Sequence, residues 1–262
     1  MPTLEARGVE LAWNEAGEGE PVLLIHETAA SGAVWKPVAR EVSKAARAVT
    51  YDRRGWGGST APEGYQRTTV EEQSEDAIVL IESFGGPAVL CGAGAGAIIA
   101  LDLLLRRPEL VVASVLVEPP ILQLLPTATE ALSDDRLRLE SAAADGRDVV
   151  DLYLSGGLPA LGPGVARLPE EVTTEARRRP ASVIAELGMA SAWRMPLPRL
   201  AQAQRPSAIV TAPSTPPLVR EASDALAGRL ASSAMREVDS GTGSPYLEDP
   251  AALASMILEL SR

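Results

Sequence analysis

Residues Pro87 to Ala97 read PAVLCGAGAGA. Ala88 to Cys91 form a short apolar run of the kind a strand buried on both faces requires. From Ala95 to Arg107 the pattern becomes helical, rich in alanine and leucine. Between the two, Gly92, Gly94 and Gly96 alternate with alanine, so the chain turns from strand to helix with no side chain larger than a methyl. The turn is not a nucleotide loop. It lacks the lysine of a phosphate-binding loop, and no dinucleotide fingerprint opens an N-terminal βαβ unit.

The same alternation continues on both sides. Upstream, Leu4 to Val9 and Leu11 to Glu15 read as two short strands, Pro21 to Ile25 as a buried strand ending at His26, Ala33 to Ala45 as a helix and Ala48 to Tyr51 as a strand. Thr68 and Thr69, with Glu71 and Glu72 behind them, start a helix over Val70 to Phe84. Downstream, Val111 to Val117 is another strand, and Pro119-Pro120 closes the run. Residues 121–200 show no strand pattern and several helical pieces broken by glycine and proline, as in GGLPALGPG. Strands return at Ser207 to Thr211 and Ala234 to Val238, with helices at Pro217 to Leu230 and Asp249 to Leu260. Repeated β-α-β units imply an α/β fold with a mostly parallel central sheet flanked by helices. The expected division is a core of 1–120 and 201–262 with a helical cap of 121–200 inserted in it.

Composition narrows the function classes. The 262 residues carry 24 basic and 35 acidic side chains, a net charge of −11. That field repels phosphate backbones, so nucleic acid is not an expected partner. One cysteine excludes an intrachain disulfide and any multi-cysteine metal site, and one histidine excludes a polyhistidine site. No metal or organic cofactor is expected. No apolar stretch is long enough to span a bilayer, and the N-terminus lacks a signal-like apolar region, so no membrane association and a cytoplasmic location are expected. A homodimer is left open.

The ordered features resemble the α/β-hydrolase superfamily over nearly the whole chain. A strand ends at His26, where that family often carries a His-Gly oxyanion loop. YDRRGWGGS (Tyr51 to Ser59) is similar to its D-x-R-G-x-G-x-S turn. CGAGAGA has the glycine spacing of its nucleophile elbow, and LVEPP, a helical insertion, a late strand and the loop GTGSPYLEDP (Gly241 to Pro250) follow in order. The resemblance implies a serine at the centre of G-x-S-x-G, an acid after the late strand and a histidine in the last loop. Here those positions align with Gly94, Pro213 and Gly243, and no histidine exists after His26. Acyl-enzyme chemistry needs a nucleophile, a base and a group that orients the base. The expectation is therefore a divergent member without the Ser-His-Asp triad.

The remaining pocket candidates lie at strand ends, where the resemblance places the site. Glu27 follows His26, where glycine is usual. Next to an apolar pocket its pKa would rise and it would serve as general acid or base, unless it pairs with Arg53 or Arg54. Glu118 ends VVASVLVE and is the second candidate carboxylate, or else a structural residue bonding nearby backbone. The N–H groups of Thr28 and Ala95 are candidate oxyanion donors, beside Gly94. His26 is placed in the site as a ligand-facing or loop-holding imidazole. Trp193 and Tyr246 stand out among only four tryptophans, four tyrosines and one phenylalanine as pocket walls for a flat ligand. Cys91 reads as a small core residue.

The leading expectation is non-covalent acid–base chemistry on a small organic molecule, of lyase, isomerase or cyclase type, in a setting such as secondary metabolism. Glu27 would move protons and a backbone oxyanion hole would polarise a carbonyl. The alternatives are a non-catalytic protein that binds a ligand or partner, and a hydrolase using a Glu27-activated water.

Overall fold

Strand β3 (Pro21–Ile25) shows why the sheet is covered on both sides. Its Leu23 and Ile25 enter one apolar cluster, and Val22 and Leu24 enter a second on the opposite face. A computed structural model describes residues 1–239, 241 and 243–261. The strands before and after β3 are β1 (Thr3–Ala6), β2 (Val9–Ala16), β4 (Arg47–Tyr51), β5 (Ala88–Ala93), β6 (Val111–Val117), β7 (Ser207–Thr211) and β8 (Ser233–Glu237). They form one sheet in the order β1-β2-β4-β3-β5-β6-β7-β8. Every pairing is parallel except those of β2 with β1 and with β4.

The helices between strands are α1 (Lys36–Val42), α2 (Val70–Ser83) and α3 (Ala95–Arg106). Between β6 and β7 come α4 (Ala128–Ala144), α5 (Val149–Leu154), α6 (Glu170–Arg177), α7 (Pro180–Glu186), α8 (Met189–Ala192) and α9 (Leu197–Leu200). Among the described residues this insertion contains no strand. The chain ends with α10 (Pro217–Ala227), α11 (Pro245–Glu248) and α12 (Pro250–Leu260). Apolar side chains of α2, α3 and α10 fill one face cluster, and those of α1 and α12 fill the other. None of the described helices is long and apolar enough to cross a membrane.

Local chemistry sets most boundaries. Thr69 caps α2 by accepting a hydrogen bond from the Glu72 N–H at 3.1 Å. The first two strands are a hairpin whose turn is Arg7-Gly8, both at positive φ (50° and 83°), so Val9 belongs to the second strand and not the first. The helix expected from Ala33 breaks into a 3-10 turn (Gly32–Trp35) and α1, because Pro37 has no N–H to continue a longer α ladder. The short helix α11 was not expected from the loop sequence.

The turn DRRGWGG is pinned by its first residue. Asp52 accepts the Gly32 N–H at 2.7 Å on one oxygen and the Gly58 N–H at 2.7 Å on the other. The insertion is tied to this turn by Ser182 Oγ, which donates to Gly55 O at 2.7 Å, and to the segment before α2 by the Thr68 N–H, which donates to Ala185 O at 3.0 Å.

The first turn of α3 lies directly on the end of β3. A β-carbon at Gly96 would sit 2.1 Å from Ile25 O, and one at Gly92 would sit 2.1 Å from Gly96 O. Both obstacles are backbone and cannot swing aside. Gly96→Ala is expected to cost about 3 kcal/mol or more in denaturant unfolding. Gly228→Ala, where the nearest atom is 3.7 Å away, is expected to stay within about 1 kcal/mol of the parent.

Candidate active site

Sheet register gathers three strand ends. Ile25 pairs with Gly92 and Ala93 pairs with Val117, so Glu27, Gly94 and Glu118 follow one another across the C-terminal edge of β3, β5 and β6. This edge, where β4 and β5 leave β3 on opposite sides, is the place an open α/β sheet offers a crevice. Gly94 turns the chain from β5 into α3 at φ 53°, ψ −118°, and its N–H donates to Val117 O at 3.0 Å. That φ is in the region glycine adopts without the strain other residues meet. A β-carbon on Gly94 would lie 3.0 Å from Glu27 Cβ and 3.6 Å from Glu27 Oε2. The Glu27 carboxylate thus covers the spot that a side chain at position 94 would point to.

Glu27 is partly buried and its one short polar contact is with α11, where the Tyr246 hydroxyl donates to Oε1 at 2.5 Å. Tyr246 is held in turn against Trp35, with ring centroids 4.7 Å apart and tilted by 37°. The neighbouring arginines are engaged elsewhere. Arg53 makes a two-pronged ion pair with Glu186 at 2.6 and 2.9 Å, and Arg54 pairs with Asp76 and Glu72 at 2.6 Å each. The expected alternative, a Glu27 ion pair with Arg53 or Arg54, is therefore not among the ion pairs of the described residues. Burial pushes the Glu27 carboxyl up to about 7, with the Glu118 charge adding to the rise and the Tyr246 hydrogen bond, Arg167 and Arg53 opposing it. Burial, and then the Glu27 charge, hold the Tyr246 phenol well above its ordinary value.

The oxyanion candidates flank the carboxylate. Ala95 opens α3, whose positive dipole end faces the three strand ends. Neither the Ala95 N–H nor the Thr28 N–H takes part in the described backbone bonds of turns and loops. The Thr28 hydroxyl donates to Glu186 Oε2 at 2.6 Å. Tyr153 of α5 is buried against the same Thr28 side chain and within the field of Glu27.

These contacts fit the loop-holding reading of His26 and the structural reading of Glu118, and they set Trp193 apart from Glu27. His26 faces no ligand: Nδ1 donates to Glu27 O at 2.8 Å and Nε2 accepts the Arg53 N–H at 2.9 Å, so both ring nitrogens hold backbone. Burial, then the Arg53 charge, keep its pKa well below the usual value, and the ring is neutral. Trp193 is not brought to Glu27. Its indole N–H donates to Asp102 Oδ1 at 3.0 Å and its ring joins the cluster on the α3 side of the sheet. Glu118 has both oxygens engaged, Oε1 accepting from Thr215 Oγ1 at 2.7 Å and Oε2 ion-paired with Arg167. Arg167 also reaches Ser214 and Gly243 O, each at 3.3 Å, so it ties together the loops after β6, after β7 and before α11. Thr242, in the last of these loops, lies outside the described residues.

Arg167, Glu186 and Tyr153 were missed because the insertion offers no motif to align. Tyr153 alone carried a signal, the rarity of aromatics that singled out Trp193.

The model of the alpha/beta hydrolase family matches residues 22–256. The uncharacterized hydrolase YraK of Bacillus subtilis (strain 168) is 35% identical over 124 residues, 47% of this chain and 46% of YraK. The match thus spans about half the length of that relative. Among solved structures, a thermophilic esterase from Thermogutta terrifontis superposes with a TM-score of 0.73 at 22% identity, covering 98% of this chain and 95% of the esterase. An enol-lactonase from Burkholderia xenovorans LB400 superposes with a TM-score of 0.62 at 20% identity, covering 99% of each chain.

The raised Glu27 pKa sets a sign for stability. Between about 4.5, its ordinary value, and about 7 the folded protein binds more protons than the unfolded chain. The stabilisation is complete below 4.5 and is lost as pH rises through 7. Glu27→Gln is therefore expected to unfold about 1–3 kcal/mol later than the parent at pH 8, after allowing for partial exposure, and with little difference at pH 4, in urea titrations at both pH values.

Proposed function

This chain belongs to the alpha/beta hydrolase family, and from that premise we propose that it hydrolyses a small neutral ester or lactone with a water molecule activated by Glu27, without the family's Ser-His-Asp triad. The observation that carries the reading is the Glu27 carboxylate, with a pKa near 7, lying over Gly94 where the family's nucleophile side chain would be. A base is most useful when its pKa sits near the working pH.

In the proposed reaction the two oxygens of Glu27 take separate parts. Tyr246 occupies Oε1, so Oε2, the oxygen nearer Gly94, is the proton acceptor. It takes a proton from water as the water oxygen bonds to the substrate carbonyl carbon. The carbonyl oxygen becomes an oxyanion, received by the Thr28 and Ala95 N–H groups and the α3 dipole. The tetrahedral species collapses, the C–O bond to the leaving group breaks, and the leaving alkoxide takes the proton back from Glu27. One ester and one water give one acid and one alcohol, and no covalent enzyme intermediate forms. The likeness to an esterase and a lactonase supports the substrate class.

A second reading is favoured by the Tyr246 hydrogen bond. A carboxylate base backed by a phenol would also remove a proton next to a carbonyl, as in an isomerase, lyase or cyclase, with the same oxyanion donors holding the enolate. Turnover in ¹⁸O-labelled water separates the two. Label in the product acid supports hydrolysis, and turnover without label supports the second reading.

On a panel of neutral esters and lactones, kcat/KM is expected to rise with pH to a plateau with its midpoint near 7. Glu27→Gln is expected to lower kcat by about 10²–10⁴-fold while the protein stays folded. Full activity in that variant overturns both readings. Tyr246→Phe removes a hydrogen bond that lowers the Glu27 pKa, so the midpoint of the profile is expected to move above that of the parent.

A further inference from the structure

Glu186 is fully enclosed, and its side chain gathers four donors from two separate segments, the loop after β3 and the turn after β4. Arg53 gives two of them, Trp56 Nε1 gives one at 2.8 Å, and the Thr28 hydroxyl gives one at 2.6 Å. The Arg53 guanidinium neutralises the buried charge, and Trp56 and Thr28 add neutral donors. Of these partners, Thr28 also brings a backbone N–H at the edge of the site, directly after Glu27.

The backbone beside Thr28 also needs holding. Ala29 has φ 66°, a left-handed conformation that costs a residue with a β-carbon about 1 kcal/mol and persists only where surrounding contacts enforce it. On the N-terminal side, His26 Nδ1 fixes Glu27 O. On the C-terminal side, Gly32 is fixed by Asp52. Between these two anchors the side-chain bond that fixes the loop is Thr28 to Glu186, with Tyr153 of α5 lying against the same hydroxyl. Both of these partners belong to the helical insertion, in α7 and α5.

We infer that Glu186 is a positioning residue, which acts through the Thr28 hydroxyl to aim the Thr28 N–H at the oxyanion, so that the oxyanion site is complete only while the insertion is seated on the sheet. The inference rests on the oxyanion role given to Thr28 in the proposed mechanism. It assigns to the insertion a task beyond covering the site: α7 supplies the constraint and the loop after β3 supplies the donor. An N–H that wanders by an ångström is worth little to a transition state, so loosening this bond acts on kcat and leaves substrate affinity in place.

Glu186→Gln leaves Arg53 buried without a counter-charge and is expected to be unstable, so the Thr28 variants carry the test. Thr28→Val keeps the shape and removes the hydroxyl, and Thr28→Ser keeps the hydroxyl. The full-length protein is compared by amide hydrogen exchange across residues 27–30 and by steady-state ester hydrolysis, with Glu27→Gln run beside them. In Thr28→Val the 27–30 amides are expected to exchange about tenfold faster, and kcat to fall about 10- to 100-fold with KM within about twofold. Thr28→Ser is expected to restore both. Parental exchange and parental kcat in Thr28→Val overturn the inference, as does a loss confined to KM. If Glu27→Gln keeps its activity, the Glu27 mechanism falls, and the exchange arm alone decides whether Glu186 holds the Thr28 loop.

Discussion

The site is built on close approaches between pieces of backbone. The first turn of α3 rests on the end of β3 so tightly that Gly96 has no room for a β-carbon, and it lies so close to β5 that Gly92 has none either. That approach sets where α3 begins, which requires Gly94 to turn at positive φ, which in turn puts position 94 beside the residue that follows His26. What the two positions can do depends on which of them carries a functional group. Here Gly94 has none and Glu27 does, and the two occupy the same space in complementary fashion. A β-carbon at 94 would press on Glu27 Cβ at 3.0 Å and stand at ordinary contact distance, 3.6 Å, from Oε2.

Much of the sheet was legible because its signals are local. Val111 to Val117 and Ser207 to Thr211 are strands with the expected bounds, and α2 begins at the Thr69 cap. Apolar runs and caps depend on neighbours a few residues away, so a linear reading captures them. The misreadings at Val9 and at Ala33 to Trp35 came from backbone details: a turn with two positive φ values, and a proline that divides a helix.

The site was legible only where the register of parallel strands placed it. Glu27 stands out in the sequence because it departs from glycine at a strand end, and Tyr246 because aromatics are rare. His26 and Glu118 fit their loop-holding and structural readings, and Trp193 lies away from Glu27, for one shared reason. Each is close to the site along the chain or in type, but its polar atoms are consumed by partners distant in sequence: Arg53 for His26, Arg167 and Thr215 for Glu118, and Asp102 for Trp193. A buried polar atom seeks a partner before it seeks a ligand, since leaving it unpaired costs more than the bond contributes. The partner cannot be read from the sequence when it lies in a helical insertion without periodic landmarks.

The same rule explains why Glu27 stays available. Two arginines follow in the turn after β4, Arg53 and Arg54, and an ion pair of Glu27 with either would lower its pKa further. Both are buried, and a buried guanidinium must be matched. Glu186 matches Arg53 with both oxygens, and Asp76 with Glu72 matches Arg54. What remains beside Glu27 is a phenol that donates one hydrogen bond and a second carboxylate that is itself tied to Arg167. The carboxylate therefore feels burial more strongly than any counter-charge, and its pKa rises toward neutrality. Glu186 touches both sides of this arrangement: it takes the charge of Arg53, and it takes the hydroxyl of Thr28, which in the proposed mechanism sets the donor for the oxyanion.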